Sequence, residues 1–225
     1  MHFTYVFILA FTLSYPLYKS FESRVQFYKK WRFLFPAIFI SAIVFIAWDI
    51  WFADKSVWSF NRDYLLGFFI AGLPIEEWLF FFITPFSCVF IYEVLNYFVK
   101  KDIIAPYAKG ISITLISALL ILGIMNTSRM YTSITFITLA LVLFVLQFIL
   151  KSSYLPRFYL TWAVCMIPFL IVNGMLTAFP VIRYNELHIL NVRIFTIPIE
   201  DVFYGMLNTL LVIAIYEYLK TKNNE

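Results

Sequence analysis

Charge is what this chain has least of. Asp, Glu, Lys and Arg together supply 13% of its 225 residues, about half the share of a soluble domain (~25%). Glycine is nearly as scarce, with six residues and no Gly-rich nucleotide fingerprint, which excludes a dinucleotide-binding βαβ unit. The two cysteines, Cys88 and Cys165, lie inside apolar runs; they are read as inert small hydrophobes and give neither a disulfide framework nor a metal site. His2 and His188 stand far apart and make no ligand cluster. The first apolar run, 3–18, lacks a basic start and a small-residue cleavage site, so it is read as a retained span and not as a signal peptide. The net charge of +4 is read as basic loops against anionic lipid headgroups; no nucleic-acid partner is expected.

What is present is hydrocarbon. Hydrophobic residues make 63% of the chain and aromatic ones 21%, gathered in runs about twenty residues long, the length that crosses a bilayer. A bilayer admits helices or closed barrels, and runs without residue-by-residue alternation select helices. Seven spans are predicted, at 3–18, 33–52, 78–98, 110–126, 131–150, 158–178 and 202–219, with apolar pieces at 64–73 and 189–197 too short to cross and expected to dip in and return. The expected class is an all-α, multi-pass protein of the cell membrane. Lys19, Arg24, Lys29, Lys30, Arg32, Lys100, Lys101, Lys109, Lys151, Arg157, Lys220 and Lys222 fall on one face, against Lys55, Arg62, Arg129, Arg183 and Arg193 on the other. That bias predicts a cytoplasmic C-terminus and an N-terminus outside.

The sequence repeats. At an offset of 124 residues, Pro74-Ile75-Glu76-Glu77 falls on Pro198-Ile199-Glu200-Asp201, Tyr92-Glu93 on Tyr216-Glu217, and Asp49 on Asn173. Three coincidences in one register predict two three-helix units, 1–98 and 127–225, joined by a linking span in 99–126. Three helices reverse the chain and a fourth restores its direction, so the units run parallel, as 3+1+3, and both acid motifs lie at one membrane level.

A proline followed by two acids suits a helix start, where free N–H groups and the positive dipole end favour carboxylates. Capping alone explains such acids in water. In hydrocarbon a carboxylate is costly and marks a functional path, and burial with a like-charged neighbour tends to keep a proton on one member of the pair. A carboxylic acid in a dry aromatic pocket is a strong proton donor, and the fitting reactant is an alkene that partitions into lipid. Glu76, Glu77, Glu200 and Asp201 are therefore the candidate catalytic residues. Asp49, Asn173, Pro74, Pro198, Trp78 and Trp48 are the candidate supporting or substrate-binding residues, since ring faces near the motif can steady a cation. Glu93 is expected close to the cytoplasmic face, away from that site, and Tyr92 and Tyr216 are read as interfacial anchors.

These motifs resemble the heterodimer-type lycopene cyclases of bacteria, archaea and fungi, with the two subunits fused through an extra span as in single-chain members of that family. The resemblance implies acid-catalysed, non-redox cyclisation of the linear ends of a C40 carotenoid, carrying lycopene through γ-carotene to β-carotene. Glu76 and Glu200 match the family's shared Glu, and Glu77 and Asp201 its variable second acid. On that match Glu76 or Glu200 is expected to donate the proton, with the neighbouring acids tuning or regenerating it. The resemblance further implies lycopene and membrane lipid as partners, other carotenoid-pathway membrane enzymes as candidate partners, and no flavin, nicotinamide or metal. Two rivals stand beside it: a SWEET-like 3+1+3 transporter with a carboxylate proton site, and a membrane terpene cyclase of another pathway. A structural membrane subunit held together by shared protons is a third. The ring type, the polyene length and the number of sites stay open at this point.

Overall fold

The structure, a computed structural model, describes residues 2–223. Seven helices account for most of it: α1 (Thr4–Lys19), α2 (Trp31–Asp54), α3 (Ile75–Phe98), α4 (Ala108–Met125), α5 (Met130–Phe144), α6 (Leu155–Ala178) and α7 (Ile199–Lys222). A π-helical turn, Val145–Ile149, continues α5. Among the described residues six helices are long and apolar enough to cross a membrane, and α1 is the exception to the expected seven. Its 16 residues rise about 24 Å, less than a hydrocarbon core of ~30 Å.

The short apolar pieces are hairpins. β2 (Phe69–Ile70) pairs antiparallel with β3 (Leu73–Pro74), and β5 (Arg193–Ile194) with β6 (Ile197–Pro198). Their tips turn through left-handed residues, Ala71 at φ 51° and Phe195 at φ 56°. Pro74 and Pro198 end the hairpins in extended conformation and stand as the N-caps of α3 and α7. Both helices thus start three residues before the predicted spans, and the acids occupy their second and third positions.

Two further strands roof this end of the bundle. β1 (Trp58–Phe60) follows α2, β4 (Ile182–Tyr184) follows α6, and the two pair antiparallel. Ser59 lies opposite Arg183, its counterpart at the 124-residue offset. An antiparallel pair has a local two-fold axis, so this register puts repeat-related residues across one axis. Beneath the roof α3 packs on α1, α2, α6 and α7, while α2 and α5 flank α7 and α4 lies against α5.

The other end is held by charge. Glu93 on α3 is 1% exposed, ion-paired to Lys30 and Lys220, and accepts a hydrogen bond from the Tyr216 hydroxyl at 2.7 Å. Tyr92 reciprocates toward Glu217 on α7, so each helix lends a phenol to the other's carboxylate. This corrects the expectation of interfacial anchors: Tyr92 and Tyr216 are both buried. Arg157 closes the C-terminus of α3 by donating to the Val99 and Leu95 carbonyls, at 2.8 and 3.3 Å. Breaking a buried ion pair costs ~3–5 kcal/mol, and water reaching the two lysines lowers this to about 1–3 kcal/mol. Glu93→Gln should therefore lower the thermal midpoint in detergent clearly more than Glu217→Gln does. Equal shifts would show that Glu93 does not hold α3 to α7.

Candidate active site

Each hairpin delivers its two acids to different places. The first acid turns back to the loop: Glu76 Oε1 accepts from the Leu66 N–H and Glu200 Oε1 from the Leu190 N–H, both at 2.6 Å. Thr132 adds a hydroxyl to Glu200 Oε1 at 2.6 Å. The Oε2 atoms of both residues are buried without a hydrogen-bond partner, and neither residue lines the cavity that the second acids face. The first acids fasten the hairpins to α3 and α7.

The second acids face a cavity, and residues from both halves of the chain meet there. Glu77 accepts from the Tyr5 hydroxyl on α1 at 2.7 Å and is hydrogen-bonded to the carboxyl of Asp49 near the end of α2. Asp49 accepts from the Tyr204 hydroxyl at 2.6 Å. Two carboxylates both lack a proton to give, so a hydrogen bond between them requires that one carry it. Asp201 is met differently, by three donors: Tyr131 at 2.8 Å, Tyr184 at 2.6 Å and Asn173 at 2.9 Å. Burial and the Asp201 carboxyl push the Tyr184 phenol well above its ordinary range, so it keeps its proton and remains a donor. A carboxylate with three donors is well satisfied as an anion. The site therefore holds a proton-sharing pair beside a fixed charge.

Aromatic rings enclose these groups. Trp58 lies 5.1 Å from Tyr131 and 6.1 Å from Tyr204, centroid to centroid, and Phe60, Phe80 and Tyr184 complete the wall. Such faces attract cations. Below them the cavity, about 400 Å³, continues between α1, α3, α6 and α7. Its accessible surface is mostly carbon, although Thr12, Ser14, Ser87, Thr209, Thr84 and Asn208, the last two related by the repeat, contribute to the lining. From Glu77 to Ile91 along α3 it runs about 21 Å.

Gly205 keeps this space open. A Cβ there would come within 3.1 Å of Trp162 and 3.3 Å of Phe169, both cavity walls. The repeat counterpart of Gly205 is Phe81, buried and packed on Phe45 at 5.8 Å. The equivalent space between α2, α3 and α7 is filled by Phe45, Trp48 and Phe81.

Of the expected site residues, Glu77, Asp201, Asp49 and Asn173 meet at the cavity head. Pro74 and Pro198 are helix caps. Trp78 donates to the Ile70 carbonyl at 3.2 Å and Trp48 packs on Phe45 and Tyr204; neither lines the cavity. The phenols of Tyr5, Tyr131, Tyr184 and Tyr204 went unread in the sequence. Tyr5 and Tyr131 are related by 126 residues, two off the offset that aligns the motifs, and Tyr184 and Tyr204 replace Phe60 and Phe80, so no repeat marks any of the four.

No solved structure matches this chain. A bifunctional lycopene cyclase/phytoene synthase of Arthroderma gypseum is 28% identical over 94 residues, which is 42% of this chain and 15% of the fungal protein. The chain thus matches only a small part of that curated relative. The family model described as lycopene cyclase matches residues 2–95 and 128–219. Those two stretches hold both acid motifs, all four phenols and more than half of the chain, and on them this protein belongs to the lycopene cyclase family.

Proposed function

We propose that this protein is a lycopene cyclase of the β type, an isomerase that closes rings on the linear ends of a C40 carotenoid and so converts lycopene to γ-carotene and then β-carotene. The observation that carries this reading is the hydrogen-bonded Asp49–Glu77 pair at the head of an apolar cavity, with the anion-suited Asp201 beside it. The proton of the pair goes to the terminal double bond of the polyene. The cation so formed is attacked by the internal alkene, one carbon–carbon bond closes the six-membered ring, and the positive charge moves onto the ring. Having given its proton, the pair carries two negative charges within hydrogen-bond distance, which makes it a strong base. It recovers a proton from the ring, leaving the β double bond, and the cycle returns without net proton or electron change. Asp201 and the faces of Trp58, Tyr131 and Tyr204 offset the transient positive charge.

This assignment moves the donor from Glu76 or Glu200, expected from motif matching, to the Asp49–Glu77 pair. Glu76 and Glu200 act as positioning residues through the loop amides. The two three-helix units, 1–98 and 127–225, joined through 99–126, are proposed as the repeat, with the acid end outside and the C-terminus cytoplasmic. The charge bias of the loops supports that orientation.

Expression in cells that accumulate lycopene should yield cyclic carotenoids of unchanged mass. Glu77→Gln should cost at least about 10²-fold in ring formation, the scale of lost general-acid catalysis, and Asp201→Asn should be similarly damaging. Loss of activity in Glu76→Gln with full activity in Glu77→Gln would return the donor role to the first acid. Unaltered lycopene with folded wild-type protein would remove the assigned activity.

The cavity makes a separate demand. Gly205→Leu should drive Trp162 and Phe169 into the polyene's space at an overpacking cost of about 1–3 kcal/mol. Ring formation should fall far more than the thermal midpoint does. Normal turnover in Gly205→Leu would show that the substrate does not occupy this cavity.

A further inference from the structure

The cavity is closed at both ends and open at one side. At its head the β1–β4 sheet lies across it, with Trp58, Phe60, Ile182 and Tyr184 forming the ceiling. At its foot Phe27 and Phe90 pack at 5.6 Å, just short of the ion-paired Glu93. The exposed members of its lining are Phe11, Ser14 and Tyr15 on α1 and Pro168 and Ile171 on α6. The opening is therefore a gap between these two helices. Phe11 and Tyr15 also belong to a stripe of exposed rings on α1, with Phe7 and Tyr18, at the spacing of one helical face. Beside six membrane-crossing helices, that face meets lipid.

The acids all lie at the ceiling end. Glu77 and Asp201 are in the first turns of their helices, and Asp49 is in the last turns of α2. The portal lies about 9–15 Å lower along α1, counted from Tyr5 to Phe11 and Tyr15. A linear hydrocarbon reaching the acids must pass the gap end-first and stop under the sheet. A C40 chain is longer than the run beneath the ceiling, so its far half stays in the gap and in the bilayer. The space that would hold a second terminus, between α2, α3 and α7, is occupied by Phe45, Trp48 and Phe81.

We infer that the α1–α6 gap is a lateral binding site for the unreacted half of a linear polyene, and that one terminus is processed per visit. This rests on the cyclase reading above. The monocyclic product must then withdraw into the bilayer, and its other end must thread back through the same gap before a second ring can form. The enzyme is distributive, and the monocyclic carotenoid is a free intermediate.

The test uses the full-length protein in phosphatidylcholine vesicles supplied with lycopene. When half has reacted, deuterium-labelled monocyclic carotenoid is added in an amount equal to the unlabelled pool. About half of the bicyclic product formed immediately after the addition should carry the label, a share that then falls as remaining lycopene replenishes the unlabelled pool, as expected for a pool that exchanges freely with the site. Bicyclic product that stays unlabelled would overturn the inference and show both ends processed in one visit. A second arm crowds the gap with Ser14→Trp and Ile171→Trp together. In a single turnover started from the enzyme–polyene complex, ring closure on the C40 chain should fall about tenfold or more, the scale of misplaced substrate. A half-length polyene with the same end group, which passes the gap on entry but leaves it empty once bound, should close its ring at nearly the wild-type rate. Equal slowing of both would overturn the lateral site. Absence of any ring from either polyene is a different result, since it would remove the cyclase activity itself.

Discussion

A carboxyl group in hydrocarbon must be met by donors or must share a proton, and the architecture follows from meeting that demand several times. An isolated acid at mid-bilayer costs about 2.5–3.5 kcal/mol, and this chain buries Asp49, Glu76, Glu77, Glu93, Glu200 and Asp201. Each solution fixes a piece of structure. The hairpins before α3 and α7 exist where the Leu66 and Leu190 amides can reach the first acids. Tyr5 and Tyr131 tie the first turns of α1 and α5 to the second acids. Lys30, just before α2, and Lys220 on α7 bring those two helices to Glu93. The helices pack where their polar groups require it, and aromatic side chains fill what remains.

The duplication supplies two similar frames, and the chemistry comes from their differences. Asp49 corresponds to Asn173, so one frame has a carboxyl partner for its second acid and the other an amide. An amide can only donate to Asp201, whereas a carboxyl can share a proton with Glu77. Phe60 and Phe80 correspond to Tyr184 and Tyr204, which add a hydroxyl to Asp201 and to Asp49. Phe81 corresponds to Gly205, which leaves one cleft full and the other open. A symmetric pair of sites would hold two equivalent acids with equal claims on a proton. These few exchanges separate a proton-sharing pair from an anion and direct both into one space.

The sequence carried the coarse architecture and the chemistry-bearing positions, for physical reasons that also explain what it concealed. Long apolar runs are legible because the bilayer core sets their length, and α2 to α7 follow. The extent of α1 was legible too: the apolar run 3–18 and the helix Thr4–Lys19 are both 16 residues long, so its shortfall against the bilayer was already in the sequence. P-I-E-E and P-I-E-D stood out because acids are rare in lipid. Which acid of each pair faces the cavity could not be read. Neighbouring residues differ by 100° around a helix, and that phase is set by the hairpin's hydrogen bond to the first acid, which depends on residues ten positions upstream. Tyr92 and Tyr216 illustrate the same limit. A Tyr near a helix end is usually an interfacial anchor, and only the tertiary pairing of α3 with α7 shows each phenol serving the other helix's carboxylate.

Water is the remaining antagonist of such a site, because it would level the acid and quench the cation. The protein excludes it by closing the two directions from which water comes. The β1–β4 sheet covers the acids with Trp58, Phe60, Ile182 and Tyr184. The opposite end is shut by the Phe27–Phe90 packing and by ions that are paired before they meet hydrocarbon. The side wall between α1 and α6 needs no such closure, since lipid lies outside it. An opening toward lipid admits a reactant that dissolves there and withholds the one solvent that would destroy the reactive state. The same gap that selects the substrate therefore protects the proton.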